Sequence, residues 1–439
     1  MMKCIYACVS LGLLMGGVAP AQSTMSASLS VSPVDKYVSL SHEILRAIEK
    51  GNEYLKSKQS PEGYWAQPSY PAMTALAVTA YMRDPAVQGQ ALPENIKKAY
   101  QIILNAQKAN GAIYNRGLAS YNTSVCMMAL MAANNEAYVP AILKARAYLI
   151  KQQEHFAPDS PYYGGIGYGG TPSGQGPSAG GPRFSGKPGS GNGGAMLAGG
   201  RGGMGGPGRG GMGGPGSGAP IADLSNTSLA LEALFYSKKL AQDGKYGKQP
   251  ELDWKAAEQF INRCQHNPAT NKETWVSEDG SQLGGFVYRP AVTRSKDENS
   301  PTFEKVEAPK AYGSMTYAGM QSLIYANVDR NDPRVKLALK WMQRSYTLEE
   351  NPGQGAQGLY YYYQAMAKAL SALGIDELNL DDGRKVDWRQ DLATRLISIQ
   401  KGDGSWVNTN NRWWEADPVL VTCYCVLALE QLYYSLPQQ

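Results

Sequence analysis

Six stretches of the chain can be laid over one another, each a polar helical segment followed by a helix of small residues that starts at a Thr or Tyr. The register residues are Thr74, Thr123, Thr227, Thr316, Tyr363 and Thr422. Six positions on stand Ala80, Ala129, Ala233, Ser322, Ala369 and Ala428, and then Tyr81, Leu130, Leu234, Leu323, Leu370 and Leu429. A helix pair of this size cannot bury its apolar face alone, so the repeat predicts a stacked or closed array. The pairs read 42–59 with 71–82, 95–107 with 121–132, 141–153 with 223–236, 254–265 with 312–325, 334–346 with 360–372, and 388–400 with 418–432. Six such pairs predict an all-α chain folded as an (α/α)6 toroid over residues 42–436.

The register residues are 49, 104, 89, 47 and 59 positions apart, so the two long spacings mark insertions. The first, 164–220, contains RGGMGGPG twice in succession at 201–216. It cannot bury enough apolar surface to offset its ordering entropy and is expected to be disordered. The second, 267–310, carries GGFVYRP at 284–290 and a charged run at 294–307. It is expected as a surface excursion near one rim, and long loops of that kind often carry function.

Lys3, an apolar run over about residues 5–18 and the small residues Ala19-Pro20-Ala21 have the layout of a secretory signal peptide, with cleavage after Ala21. Residues 22–41 are then a linker, and a secreted or periplasmic location is expected. No other stretch approaches the roughly 20 apolar residues that span a bilayer. Removing the signal takes away Cys4 and Cys8, and Cys126, Cys264, Cys423 and Cys425 are too sparse for a disulfide scaffold. Cys126 and Cys425 share a repeat slot with Ala77, Ala230, Gly319 and Met366, a mostly small set that points to close helix packing. The net charge of +5 dissolves on inspection: Lys3 leaves with the signal, and the glycine-rich insertion holds Arg183, Lys187, Arg201 and Arg209 with no acid. The remaining body is balanced, which excludes a nucleic-acid footprint.

Turns QSPEGYW (59–65) and QKGDGSW (400–406) share the form Gln-x-x-x-Gly-x-Trp, with QKANGAIY (107–114) a weaker copy and YYGGIGY (162–168) and GGFVYR (284–289) as remnants. They resemble the QW motifs of squalene and oxidosqualene cyclases, and the whole mature chain resembles the terpenoid cyclase and prenyltransferase toroids. In that family the Gln caps a neighbouring helix and stacks on the Trp, tying adjacent repeats together. The chemistry of the residues agrees, because a side-chain amide can satisfy free N–H groups at a helix start and an indole supplies buried area.

The resemblance to working cyclases stops at the acid. Squalene-hopene cyclases protonate an alkene with the middle Asp of DxDDT; here the counterpart is DLSNT, in which Asp223 matches the first position but Ser225 and Asn226 replace the second and third. The single toroid also contrasts with the two of those enzymes. Protein prenyltransferases place an Asp two residues before a zinc-binding Cys, and no Cys here has one; Cys264 and His266 lack a third ligand. The Cys-Gly-Glu-Gln of thioester domains is absent. No metal and no cofactor is therefore expected. His42 and His155 border outer helices, where a lone His is ordinarily a surface residue.

What remains is an aromatic and polar rim in the connections that lead into the inner helices. Asn122, Asn226, Tyr312, Tyr361, Tyr362, Trp413 and Trp414 are the candidate ligand-binding residues, and Asp223, Glu415 and Asp417 the candidate acids. In a toroid these positions gather around one mouth of the central cavity, the default place for a ligand. Asp417 before Pro418 also suits a helix cap. Three functions follow from these residues. One is a divergent relative of the terpenoid cyclase toroids holding an apolar, isoprenoid-like ligand. The others are a noncatalytic scaffold for an envelope protein and a carbohydrate-active toroid, either a lyase or a glycan binder.

Overall fold

The computed structural model describes residues 33–154, 158–169, 222–291 and 308–437. The expected signal peptide, His155, most of the glycine-rich insertion and the charged run at 294–307 lie outside these residues.

Six helices form an inner ring: α2 (Pro71–Arg83), α4 (Ala119–Ala132), α6 (Leu224–Tyr236), α9 (Gly313–Tyr325), α11 (Leu359–Leu373) and α13 (Pro418–Ser435). Each packs on the next, and α13 packs back on α2, so the ring is closed. The outer layer is α1 (Pro33–Lys58), α3 (Glu94–Asn105), α5 (Val139–Lys151), α8 (Trp254–Arg263), α10 (Pro333–Arg344) and α12 (Trp388–Ser398). A short helix, α7 (Lys238–Gln242), packs on α5, and a two-residue antiparallel pair, β1 (Leu378–Asn379) with β2 (Lys385–Val386), precedes α12. The chain is an (α/α)6 toroid. Among the described residues no helix is long and apolar enough to cross a membrane.

Sequence dictates which layer a helix joins. Buried Ile96, Ala99, Tyr100 and Ile103 of α3 recur at helical spacing on one face, leaving the other to water. In α2 the residues from Pro71 to Ala80 are all buried, the pattern of a helix covered on every side. The small slots let inner helices approach, and Cys126, Cys264, Cys423 and Cys425 are all buried, their thiols pushed up by desolvation. The starts are specified locally: Asp223, Asp253, Asp332, Asp387 and Asp417 each accept a backbone N–H of the helix they precede, and Pro71, Pro333 and Pro418 open theirs. The first helix begins at Pro33, so the end of the expected linker to residue 41 is helical, and α1 uses it to reach Asp387 through the Tyr37 hydroxyl at 2.6 Å.

The Gln–Gly turns are the fasteners between pairs, and there are five among the described residues. The amides of Gln59, Gln107, Gln153, Gln265 and Gln400 each donate to the turn carbonyl of Gly63, Gly111, Gly164, Gly284 or Gly404. The same Nε2 groups donate to Asn95, Ala141, Asp253, Arg334 and Ala47 in neighbouring outer elements. This corrects the expected capping chemistry, in which the amide would satisfy free N–H groups. Nε2 carries two hydrogens and the turn presents carbonyls, so donation dominates; the Oε1 of Gln153 alone of these five accepts a backbone N–H, that of Asp253. Thr74, Thr123, Thr227, Thr316 and Thr422 explain the register: each Oγ1 accepts the backbone N–H of Trp65, Ile113, Ile166, Phe286 or Trp406 from the turn before it. The fifth pair lacks the Gln–Gly turn, and Tyr363 there donates to Leu348 O instead.

The turn glycines are set against the backbone of the next outer helix. Gly404 has φ +86°, and a Cβ there would stand 2.3 Å from Lys50 O. Gly164, the nominal start of the first insertion, is likewise part of the repeat, and a Cβ on it would meet Ala256 O at 1.9 Å. In the second insertion, His266 is fully buried, accepts Ser277 N–H on Nδ1 at 3.0 Å and lies 2.8 Å through Nε2 from Pro309 O. The imidazole is therefore held neutral with its proton on Nε2, pinning both ends of this excursion to the ring.

Two predictions follow from these contacts. Gly404→Ala combines a left-handed backbone with a collision against a carbonyl and lowers unfolding stability by roughly 3 kcal/mol, while Gly402→Ala, with open space around it, stays within about 0.5 kcal/mol. Chemical denaturation of the two variants checks the contrast. Burial lowers the His266 pKa below 6.5, so its contribution to stability is complete above that value and is lost as pH falls below it. His266→Gln should flatten that part of the thermal midpoint's pH profile between 7 and 5; an unchanged slope would assign the acid sensitivity elsewhere.

Candidate functional site

All six inner helices point their N-termini to the same end, and the segments leading into them are joined head to tail. Arg116 N–H donates to Ser69 O, Ser120 N–H to Tyr168 O, Leu224 N–H to Tyr288 O and Gly313 N–H to Pro352 O. The Asn408 amide donates to Ala356 O, and the Trp414 ring closes the circle against Tyr70, with centroids 5.2 Å apart. Five of the six helix starts are thus served by a neighbour, and that of α13 by its own Asp417. Asn122 Oδ1 accepts Ala72 N–H of α2, Asn351 Oδ1 accepts Ser314 N–H of α9, and Glu415 accepts Tyr361 N–H at 2.8 Å and Tyr360 N–H at 3.3 Å of α11.

These contacts sort the expected residues. Asn122 and Glu415 are buried caps; Glu415 is raised by burial, and the amides of Tyr361, Asn408 and Tyr360 hold it back. Asp417 caps α13 through Val419 N–H at 2.8 Å. Tyr362, one helical step from Tyr361, points into the packing and donates to Thr347 O. Trp414 is a strut between segments. Asp223, Asn226, Tyr312, Tyr361 and Trp413 remain at the mouth.

Asp223 is the centre. Its Oδ1 accepts Asn226 N–H at 2.9 Å and its Oδ2 accepts the Asn226 side-chain amide at 2.8 Å, and Tyr288 lies near enough to influence the same carboxyl. Tyr288 in turn meets Tyr168, hydroxyl to hydroxyl, at 3.1 Å. Desolvation pushes the Asp223 carboxyl up to about 6, against the lowering effect of the Asn226 bonds, Arg289 and Tyr288. Burial raises Tyr168, Tyr288, Tyr312 and Tyr361 above the ordinary tyrosine value, so all four keep their protons at neutral pH.

Deeper in, side chains of several inner helices meet. The Tyr361 ring of α11 lies 5.9 Å from that of Tyr424 of α13, and burial raises the hydroxyls of Tyr121 and Tyr424 above the ordinary tyrosine value. Further along the same inner helices Lys368 of α11 pairs with both oxygens of Glu232 of α6 at 2.9 Å. Their side chains are only 19% and 9% exposed. Two clefts, of about 380 Å³ beside Glu258 and Arg334 and about 440 Å³ beside Lys56 and Lys98, sit on the outside at seams between outer elements.

One rim feature stands apart. Trp413 is 47% exposed, the large hydrophobic side chain so placed among the described residues, and it and Trp414 have φ of 54° and 67°. Two consecutive indoles in the left-handed region are strained, and such strain persists where surrounding contacts over-determine it. The Trp413 ring lies against Gly358, the left-handed N-cap of α11, where a Cβ would come within 2.9 Å of it. Arg412 sits 5.3 Å from the Trp413 centroid.

No family model and no curated protein matches the chain. Among solved structures, the chain is similar to a variant of the type II terpene cyclase MstE from Scytonema in complex with geranylgeranyl dihydroxybenzoate, at 10% identity, covering 90% of this chain and 99% of that one, with a TM-score of 0.48. It is similar also to a GH76 alpha-mannanase from Bacteroides thetaiotaomicron, at 8% identity over 88% and 95% of the chains with a TM-score of 0.49, and to a protein from Actinoplanes, at 13% over 89% and 99% with 0.42.

Sequence reading missed Tyr168, Tyr288, Arg289, Tyr121, Tyr424, Arg412 and the Glu232–Lys368 pair. A signal for five of these residues was present. Tyr168 and Tyr288 stand four residues after the turn glycines Gly164 and Gly284, the offset that also places Asn408 after Gly404, and Arg289 follows at once. Glu232 and Lys368 both lie five residues after the register position.

Asp223 gives a sharp pH prediction. Its folded value of about 6 exceeds the ordinary 3.8, so its proton favours the folded state and its stabilising effect, complete below about 4, disappears as pH rises through about 6. The ionised group makes the fold roughly 3 kcal/mol less stable at pH 7 than at pH 4. Asp223→Asn should remove that component while keeping the helix cap, and denaturant titrations at pH 4 and 7 measure it.

Proposed function

We propose that the protein is a binding toroid that takes a saccharide at the mouth where the inner helices begin. The observation that carries this reading is Trp413: a strained, half-exposed indole set over the start of α11 at the edge of a floor made of protonated tyrosine hydroxyls. A sugar presents apolar C–H faces and a belt of hydroxyls. An indole face with tyrosine O–H groups and the buried Asp223 and Asn226 beside it matches both demands.

The lumen supports the same class over an isoprenoid. A hydrocarbon tail entering along the axis would have to part the tyrosine contacts and lie against Glu232 and Lys368. Stripping a buried ion pair of its surroundings costs several kcal/mol. DLSNT at 223–227 does not keep the acid with which squalene-hopene cyclases protonate alkenes, and burial keeps the tyrosines protonated at neutral pH, where their hydroxyls can serve as hydrogen-bond donors.

Calorimetric titration of the purified protein with a panel of neutral and charged oligosaccharides tests the reading. At least one should bind, and Trp413→Ala should weaken it about tenfold, since an aromatic contact is worth about 0.5–1.5 kcal/mol beyond its area. Mass spectrometry of a solvent extract supplies the opposite outcome: an isoprenoid enriched in the native protein, with no saccharide bound, would return the site to an apolar ligand.

A further inference from the structure

Below the mouth, the inner helices share a second register. Their threonines bond to the turns that are fastened to the outer layer. Residues two, five and nine positions after each register residue lie about 140–200° further round the helix and so face the axis. Exposure agrees with this geometry. In α4 residues 122–127 and 129–131 are buried while Met128 is half-buried, and in α11 residues 362–367 and 369–371 are buried while Lys368 is half-buried. In α6, Leu229 is half-buried between buried neighbours. Each of these helices is flanked by its ring neighbours and backed by the outer layer, so the solvent that reaches these three side chains lies in the lumen.

Five positions after the register the lining divides. From α2, α4 and α13 come Thr79, Met128 and Leu427, and from α6, α9 and α11 come Glu232, Gln321 and Lys368. Lys368 Nζ donates to both Glu232 oxygens at 2.9 Å, although α9 stands between their helices in the ring. The pair keeps contact with solvent, 19% of the Lys368 side chain and 9% of the Glu232 side chain being exposed. Four positions on, where the inner helices end, the larger residues are tied to one another: Arg83 donates to Gln431 Oε1 at 2.9 Å, and the rings of Tyr236 and Tyr325 lie 5.9 Å apart. The same position in α4 and α11, on opposite sides of the ring, holds the half-buried Ala132 and Ala372. These two small residues leave room to reach the ion pair from the end of the ring opposite the mouth.

A largely buried ion pair restricts what can displace it. A ligand with one charge would take one partner and leave the other buried and unmatched, which is strongly unfavourable. A neutral ligand gives neither partner an opposite charge. A zwitterion matches both, because each buried group exchanges one opposite charge for another. We infer that the lower lumen is a second ligand site, one that takes a zwitterion of amino-acid type: its ammonium lies on Glu232, its carboxylate on Lys368, and an apolar side chain packs on Met128 and Leu229 of the adjoining α4 and α6. This site is at the other end of the inner helices from the saccharide mouth and does not depend on the saccharide reading.

Calorimetric titration of the purified full chain with leucine, methionine and phenylalanine tests it. Each is compared with the acid that lacks its amino group and the amine that lacks its carboxylate, isocaproate and isoamylamine in the case of leucine. At least one amino acid should bind, and at least about tenfold more tightly than either of its single-charge counterparts. Glu232→Gln with Lys368→Met removes both charges together and leaves no unmatched group, so circular dichroism should report a folded ring while the preference for the zwitterion is lost. Glu232→Lys with Lys368→Glu reverses the pair and should restore part of that preference, since the ligand can turn end for end. No binding by any of the three amino acids overturns the inference, as does equal affinity for a single-charge counterpart. Binding that survives Glu232→Gln with Lys368→Met overturns it too, by placing the zwitterion elsewhere. The comparison with single-charge compounds needs no variant and decides the matter if the neutral pair fails to fold.

Discussion

The structure depends on satisfying the amide ends of six parallel helices crowded around a single opening. Each α-helix begins with about four N–H groups that have no partner within the helix. Facing a common mouth, they cannot all be left to water without opening the ring. The solution is reciprocal between repeats: Asn122, Asn351 and Glu415 reach across to the preceding helix, and the carbonyls of Tyr168, Tyr288 and Pro352 do the same from the backbone. Polar residues that look like a binding site in sequence are therefore committed to holding the ring shut. The groups left over at the mouth are tyrosines and one indole.

The architecture was legible because it is periodic. The Thr register at Thr74, Thr123, Thr227, Thr316 and Thr422 reflects one hydrogen bond repeated five times, and the small slots mark inner-helix contacts. Two fasteners showed only as the remnants at 162–168 and 284–289, because an excursion separates Gln153 and Gln265 from their glycines, by 11 and 19 residues along the chain. The mouth was legible only as a neighbourhood. Asp223, Asn226, Tyr312, Tyr361 and Trp413 lie there, but the difference between Tyr361 and Tyr362 is one step of about 100° on a helix, and a rim with no regular periodicity gives no rule for choosing between them. The ion pair of Glu232 and Lys368 showed only as a shared repeat slot, because its partners belong to helices that are not neighbours in the ring.

The lumen has a polarity that the inner helices' composition hides. Their sequences are dominated by Ala, Leu and other small apolar residues, yet the narrow strip that faces the axis includes Tyr121, Ser225, Glu232, Tyr361, Lys368 and Tyr424. Helix-to-helix packing consumes most of each circumference and demands apolar groups, whereas the strip answers only to whatever fills the axis. The Glu232–Lys368 pair ties two helices that are not neighbours in the ring to one another.

Closure also sets an order of events. The Gln400 amide reaches Ala47, 353 residues away, and the Tyr37 hydroxyl reaches Asp387 across 350. An open solenoid can grow stable one repeat at a time. Here the first helix stays uncovered until the last has been made, because α1 lies on α13, and the entropy of joining such distant segments is spent before any of these contacts forms. A chain emerging from synthesis therefore carries an unfinished edge for nearly its whole length, and only with its last helix does it become one indivisible body.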